Sequence, residues 1–85
     1  MNRHIIFGVH ISGRVEHIAE VQKALTEHGC NIRTRLGLHD VSENYCSPSG
    51  VLVLDMFGNE GLCNELFEKL NAIEGVEAQK MVFDH

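Results

Sequence analysis

The run from His4 to Ile11 is rich in β-branched residues and carries the period of a strand. Ile5, Phe7, Val9 and Ile11 point one way, His4, Ile6, Gly8 and His10 the other. Ser12-Gly13 turns the chain. From Arg14 to His28 the apolar spacing becomes helical, with Val15, Ile18, Val21 and Leu25 in a stripe and Ala19 beside them. Ser12 is placed to cap this helix, and Glu16 suits the positive end of its dipole. His28 sits in the last turn, and Gly29 is expected to stop the helix in a left-handed conformation.

Period two returns from Asn31 to His39. Ile32, Thr34, Leu36 and Leu38 fall on one face; Asn31, Arg33, Arg35, Gly37 and His39 fall on the other. Asp40 to Gly50, which holds the single proline, Pro48, reads as a polar loop longer than a usual hairpin connection. Val51 to Phe57 is almost continuously apolar, interrupted by Asp55, as a central strand would be. Gly58-Asn59 turns the chain again, with Asn59 as the N-cap of a second helix. Its stripe is Leu62, Leu66, Leu70 and Ile73, with Cys63 and Phe67 alongside. Gly75 ends it, and Val76 to Phe83 forms the last strand.

The order β-α-β-β-α-β is that of the ferredoxin-like α+β sandwich, or split βαβ. Right-handed crossovers put both helices on one face of a four-stranded antiparallel sheet of order 4-1-3-2. The expected core is Ile5, Phe7, Val9, Val15, Ile18, Val21, Leu25, Ile32, Leu36, Leu52, Leu54, Leu66 and Leu70. The other face of the sheet is left uncovered. By parity it carries His10, Arg33, Arg35 and Asp55 among Ile6, Val51, Val53 and Phe57. So many large apolar side chains do not ordinarily face water on a monomer, and a subunit interface is expected there. Asp55 is then expected to pair with an arginine from the same or a neighbouring subunit, and Arg33 and Arg35 could also hold an anionic ligand bidentately.

Eighty-five residues make one domain, spanning 1–85. A domain of this size buries only roughly 60–65% of the surface its unfolded chain exposes, so homodimer or homotetramer formation is an expected remedy. A net charge of -5 argues against direct nucleic-acid binding. No apolar leader or membrane-length run occurs, and a cytoplasmic location is expected. Cys30, Cys46 and Cys63 form no C-x-x-C pair and read as free thiols that pack as small apolar residues.

Six histidines raise the question of a metal. They form no H-x-x-x-H or H-x-H pair, and the best constellation is His39 with Cys46, joined by His10 or His4. Imidazole with thiolate suits nickel, zinc or copper. His17 and His28 are expected to be solvated helix residues, and His85 has no visible role. No resident cofactor is otherwise expected.

Ile11-Ser12-Gly13-Arg14-Val15 resembles the start of the acylphosphatase signature, and that family shares this topology. It continues here as Glu16, His17, Ile18, Ala19, Glu20 and Val21, with valine at the position of the family's catalytic arginine. That departure argues against an acylphosphatase. No Ser-His-Asp order or activated cysteine appears, and the chain is not expected to be an enzyme.

Two other resemblances point to regulation. From Ile5 to about Leu38, the turn glycine Gly13 and the step Gly29-Cys30-Asn31-Ile32 resemble ACT domains, modules that bind amino acids between subunits. The resemblance implies Ser12, Gly13 and Asn31 as effector contacts, where a glycine admits a ligand to the backbone beside a helix N-terminus. Over nearly the whole chain, Asn31 to His39, Ala72 to Val76 and Lys80 to Phe83 resemble the ACT-like regulators of iron-only hydrogenase systems. Nickel-responsive regulators carry a similar domain joined to a DNA-binding segment, for which this chain leaves no residues. Any transcriptional role is therefore expected to run through a partner protein. The reading these features favour is a non-catalytic, oligomeric module with a small effector at a subunit interface, contacted by Ser12, Gly13, Asn31, Arg33 and Arg35. The alternatives are a metal sensor using His10, His39 and Cys46, and a purely structural oligomerisation subunit.

Overall fold

A computed structural model describes the backbone of residues 3–12, 15–41 and 46–84, with side chains for all of these but 15–17, 38–41 and 46–49. In chain order the elements are β1 (Arg3–Ile11), α1 (Val15–Glu27), a single 3-10 turn (Gly29–Asn31), β2 (Ile32–Val41), β3 (Cys46–Met56), α2 (Glu60–Asn71) and β4 (Val76–Asp84). The sheet order is β2-β3-β1-β4, antiparallel throughout, which is the expected 4-1-3-2 read from the other edge.

The buried side of the sheet is the one that sequence parity assigns to β1. Ile5, Phe7 and Val9 are fully buried, opposite Met56, Leu54 and Leu52 on β3. Val21, Ala24 and Leu25 of α1 and Cys63, Leu66 and Leu70 of α2 close over them, and Ile11, Val76 and Ala78 complete one cluster. Ile18, Ile32 and Leu52 pack against it half-buried. Val15, expected in the core, lies outside the described side chains. Phe7 and Phe67 meet as a tilted pair with ring centroids 5.3 Å apart, a geometry that adds to area burial.

The α2 N-terminus forms as its sequence suggests. Asn59 adopts an extended backbone, and its side chain accepts a hydrogen bond from the Leu62 N–H at 3.1 Å. Gly58 before it has φ +93°, and a Cβ there would come 2.8 Å from Asn31 Nδ2. Both the backbone and the space therefore call for glycine. Asn59→Ala is expected to lower stability by about 1 kcal/mol, the usual worth of such a cap. Urea unfolding checks it, and an unchanged midpoint would show that α2 does not depend on the cap.

Four expectations are corrected. Gly29 does not take a left-handed conformation: among the described residues the positive-φ glycines are Gly58 and Gly75, and α1 tightens into the 3-10 turn instead. The Asp40–Gly50 loop is mostly strand. β2 runs to Val41 and β3 begins at Cys46, with Val41 opposite Cys46 and His39 opposite Gly50. Pro48 is tolerated because it falls in that register shift, beyond the last pairing of β3 with β1 at Gly50. Its missing N–H interrupts no regular ladder there.

Third, His28 is buried rather than solvated, 7% exposed, with the Lys69 ammonium donating to its Nε2 at 3.1 Å. It therefore links the end of α1 to α2.

The fourth correction changes a whole face. Ile32 pairs with Met56 but Thr34 pairs with Asp55, so Arg33 is an extra residue, a β-bulge. Past it the parity of β2 inverts. Leu36, expected in the core, is 54% exposed on the open face, and Arg35, expected on the open face, lies opposite buried Leu54. There its guanidinium donates to Gln22 Oε1 of α1 at 2.8 Å.

Candidate functional site

The open face is built from alternate residues of all four strands. Its cross-strand rows, read from β2 to β4, include Thr34-Asp55-Ile6-Met81 and Leu36-Val53-Gly8-Gln79. Val51, His10 and Glu77 continue it towards one end, and His4 and Phe83 towards the other. Leu36 and Met81 are each 54% exposed and Phe83 is 49% exposed, with Ile6, Val51 and Val53 half-buried between them. An apolar stripe thus crosses the sheet from edge to edge.

Within the chain Asp55 pairs not with an arginine but with His4, whose Nε2 lies 2.6 Å from Oδ1. The Phe83 ring leans over His4, with centroids 6.3 Å apart. Arg33 lies over the ring of Phe57, 5.5 Å from its centroid, just past the end of β3. Arg33 and Arg35 therefore serve opposite sides of the sheet. They do not converge on one anion within a chain.

The contacts implied for an effector are also separated. Ser12 follows β1 at the end where its N–H donates to the Gly75 carbonyl, 2.8 Å away. Asn31 is at the other end. Its Nδ2 donates to the Phe57 carbonyl at 3.2 Å, and its own carbonyl accepts from the Phe57 N–H at 2.9 Å. The length of β1 between these ends is about 25 Å at the rise of an antiparallel strand. A ligand touching both Ser12 and Asn31 would need two copies of the chain. Gly13, of the expected Ser12-Gly13 turn, and Arg14, the expected start of the helix, lie outside the described residues.

For a metal, His10 faces Val51 and Glu77 across the ladders, and His39 stands opposite Gly50. The side chains of His39 and Cys46 lie outside the described ones. Among the described residues no three His, Cys, Asp or Glu side chains come together as a metal cluster. Cys63 is fully buried, with its Sγ 3.6 Å from the Phe57 carbonyl. Burial, and then the charge of Glu60, push its thiol above the ordinary value, so the reactive thiolate is suppressed. It packs as the small apolar residue expected. Cys30 is exposed.

Sequence reading missed Gly8. It lies in an inner strand, in a shallow notch of about 220 Å³ in the open face. The signal was present: a lone glycine interrupts the strand-forming run Ile5 to Ile11.

No protein-family model matches the chain, and no curated protein matches it. Solved structures do share its fold. An uncharacterized protein from Thermotoga maritima is 21% identical over 94% of this chain and 95% of its own, with a TM-score of 0.81. A functionally unknown protein from Pediococcus pentosaceus is 9% identical over 100% of this chain and 93% of its own, with a TM-score of 0.57. The regulatory subunit of aspartate kinase from Thermus flavus is 17% identical over 99% of this chain, with a TM-score of 0.52; this chain spans 52% of that subunit's length. At such identities the likeness is one of architecture, and it agrees with the ferredoxin-like fold. No helix among the described residues is long and apolar enough to cross a membrane.

Proposed function

We propose that the chain is a non-catalytic regulatory module that assembles with copies of itself through the open face of its sheet and responds to a small effector there. The carrying observation is the exposed apolar stripe of Leu36, Met81 and Phe83 with Ile6, Val51 and Val53. A monomer of this size has little reason to leave that surface in water, and a second layer over it would complete a three-layer stack. The bulge at Arg33 strengthens the reading, because it turns Leu36 outward at the expense of the core.

The polar groups of the described part support a binding rather than a catalytic role. His4 is engaged with Asp55, His28 with Lys69, and Cys63 is sealed in the core. A regulatory subunit among the proteins of like fold is consistent with this use of the architecture. The finer reading, a regulator in an iron-only hydrogenase system, rests on the resemblance of Asn31 to His39, Ala72 to Val76 and Lys80 to Phe83.

Sedimentation velocity over a range of concentrations tests the assembly, and a thermal-shift screen of amino acids, small anions and amines tests the effector. A concentration-dependent dimer or tetramer stabilised by one compound class is the expected result. A monomer throughout, stabilised by nothing in the screen, would sink the proposal.

A further inference from the structure

Gly8 raises a question that the isolated fold does not answer. Glycine inside a strand weakens it, through lost entropy and absent packing. Three ordinary reasons for accepting that cost fail here. Its φ is not positive, there is no register shift between β1 and either neighbour, and a Cβ built on it would meet nothing within 4 Å. A larger residue would fit the protomer. What it would fill is the space outside: the notch of about 220 Å³ lined by Gly8, Val9, His10, Val51, Glu77 and Gln79.

The walls of that notch have a definite chemistry. Val9 turns its side chain into the core, so it and Gly8 present backbone as the floor. Val51, half-buried, supplies an apolar wall. Opposite it on β4, Gln79 Nε2 donates to Glu77 Oε2 at 2.8 Å. That hydrogen bond occupies one carboxylate oxygen and fixes the amide, leaving the other Glu77 oxygen and the Gln79 carbonyl as acceptors. His10 stands directly across from Glu77. Arg33 is held over Phe57, past the other end of the sheet from the notch. The net charge of -5 adds a field of the same sign.

We propose that this notch binds a small organic cation, a primary ammonium on a short aliphatic chain. The head lies against Glu77 and Gln79, and the chain lies along Gly8 and Val51. The volume is below that of a drug-sized pocket and suits a ligand of a few heavy atoms. Glycine is retained because a side chain at position 8 would occupy the ligand's place. The inference deepens the regulatory reading by naming the effector's chemical class, and it rests on that reading only for its biological meaning.

The test is an amide-resolved NMR titration of the intact chain with n-butylammonium and, in parallel, with butanoate, whose tail is nearly the same length. Sedimentation is run on the same samples. Saturable shifts at Gly8, Val9, His10 and Gln79 with the amine, and none with the acid, are expected. Glu77→Gln, which keeps the shape, should weaken binding about tenfold, as loss of one charge-assisted hydrogen bond does. Gly8→Val should abolish binding while raising the melting temperature, since a β-branched residue there has room and suits a strand. No saturation, equal response to both probes, or undiminished binding by Gly8→Val would each overturn the proposal. So would a Gly8→Val chain that loses self-association when the parent binds no amine, because the notch would then receive a side chain of a second copy. A monomer that binds the amine as described would support the notch and remove only the assembly reading.

Discussion

Phe7→Ala is expected to destabilise the fold by about 3–5 kcal/mol, the range for emptying a buried aromatic position. Phe7 is fully buried at the middle of β1, opposite Leu54, and its ring packs on Phe67 of α2. Truncation would leave a void between sheet and helices that neither neighbour can fill without leaving its rotamer. Domains of this length are held by roughly 4–13 kcal/mol in all, so the loss takes a large share of the total. Guanidinium unfolding followed by circular dichroism would show the midpoint falling steeply, or the variant unfolded without denaturant. A loss under about 1 kcal/mol, the size of a single surface cap, would mean that the core is not organised around this pair.

The second large effect concerns association rather than folding. Among the described residues Leu36 and Met81 are the most exposed large apolar side chains on the open face, on the two edge strands. Changing both to lysine should leave the protomer folded, because neither is part of the core. Each copy would then carry two unpaired charges into the proposed contact, where desolvation has no compensating partner. Self-association is expected to weaken by about a hundredfold or more, equivalent to roughly 2.7 kcal/mol. Sedimentation equilibrium measures it directly. Val82→Lys is the matched control: Val82 is exposed on β4 but stands opposite Ile5, on the helix side of the sheet. If both variants associate as the parent does, the open face is not the interface.

The strand order and the two helices were legible because the period changed from element to element and turn residues marked boundaries such as Gly58-Asn59 and Gly75. Apart from the Asp40–Gly50 segment, read as loop and found mostly as strand, what escaped was a matter of single residues. Parity is a count, and one uncounted residue reverses everything after it; Arg33 did this to β2, which explains both the misplaced Leu36 and the misplaced Arg35. No local composition marks that bulge, since arginine suits a strand surface as well as an irregularity. His28 looked like a solvated residue because helix periodicity does not reveal that Lys69 of α2 closes over it. Ser12 and Asn31 could be suspected from their motifs, but their separation is a property of the ladder between β1 and its neighbours. Gly8 could have been picked out from its neighbours alone, though the acceptors around it come from a strand some seventy residues away.

The pairing of β1 has a consequence for how the chain is made. As the nascent polypeptide emerges, β1 finds no partner in the strand that follows it next. It pairs first with Cys46–Met56, and its other edge waits for Val76–Asp84. At roughly 5–20 residues per second, translation leaves Ile5, Phe7 and Val9 without their final neighbours for several seconds. Closing such distant pairs also carries the loop entropy that slows folding. The first strand of this fold to be synthesised is thus among the last to be secured, with its apolar face open to other contacts in the meantime.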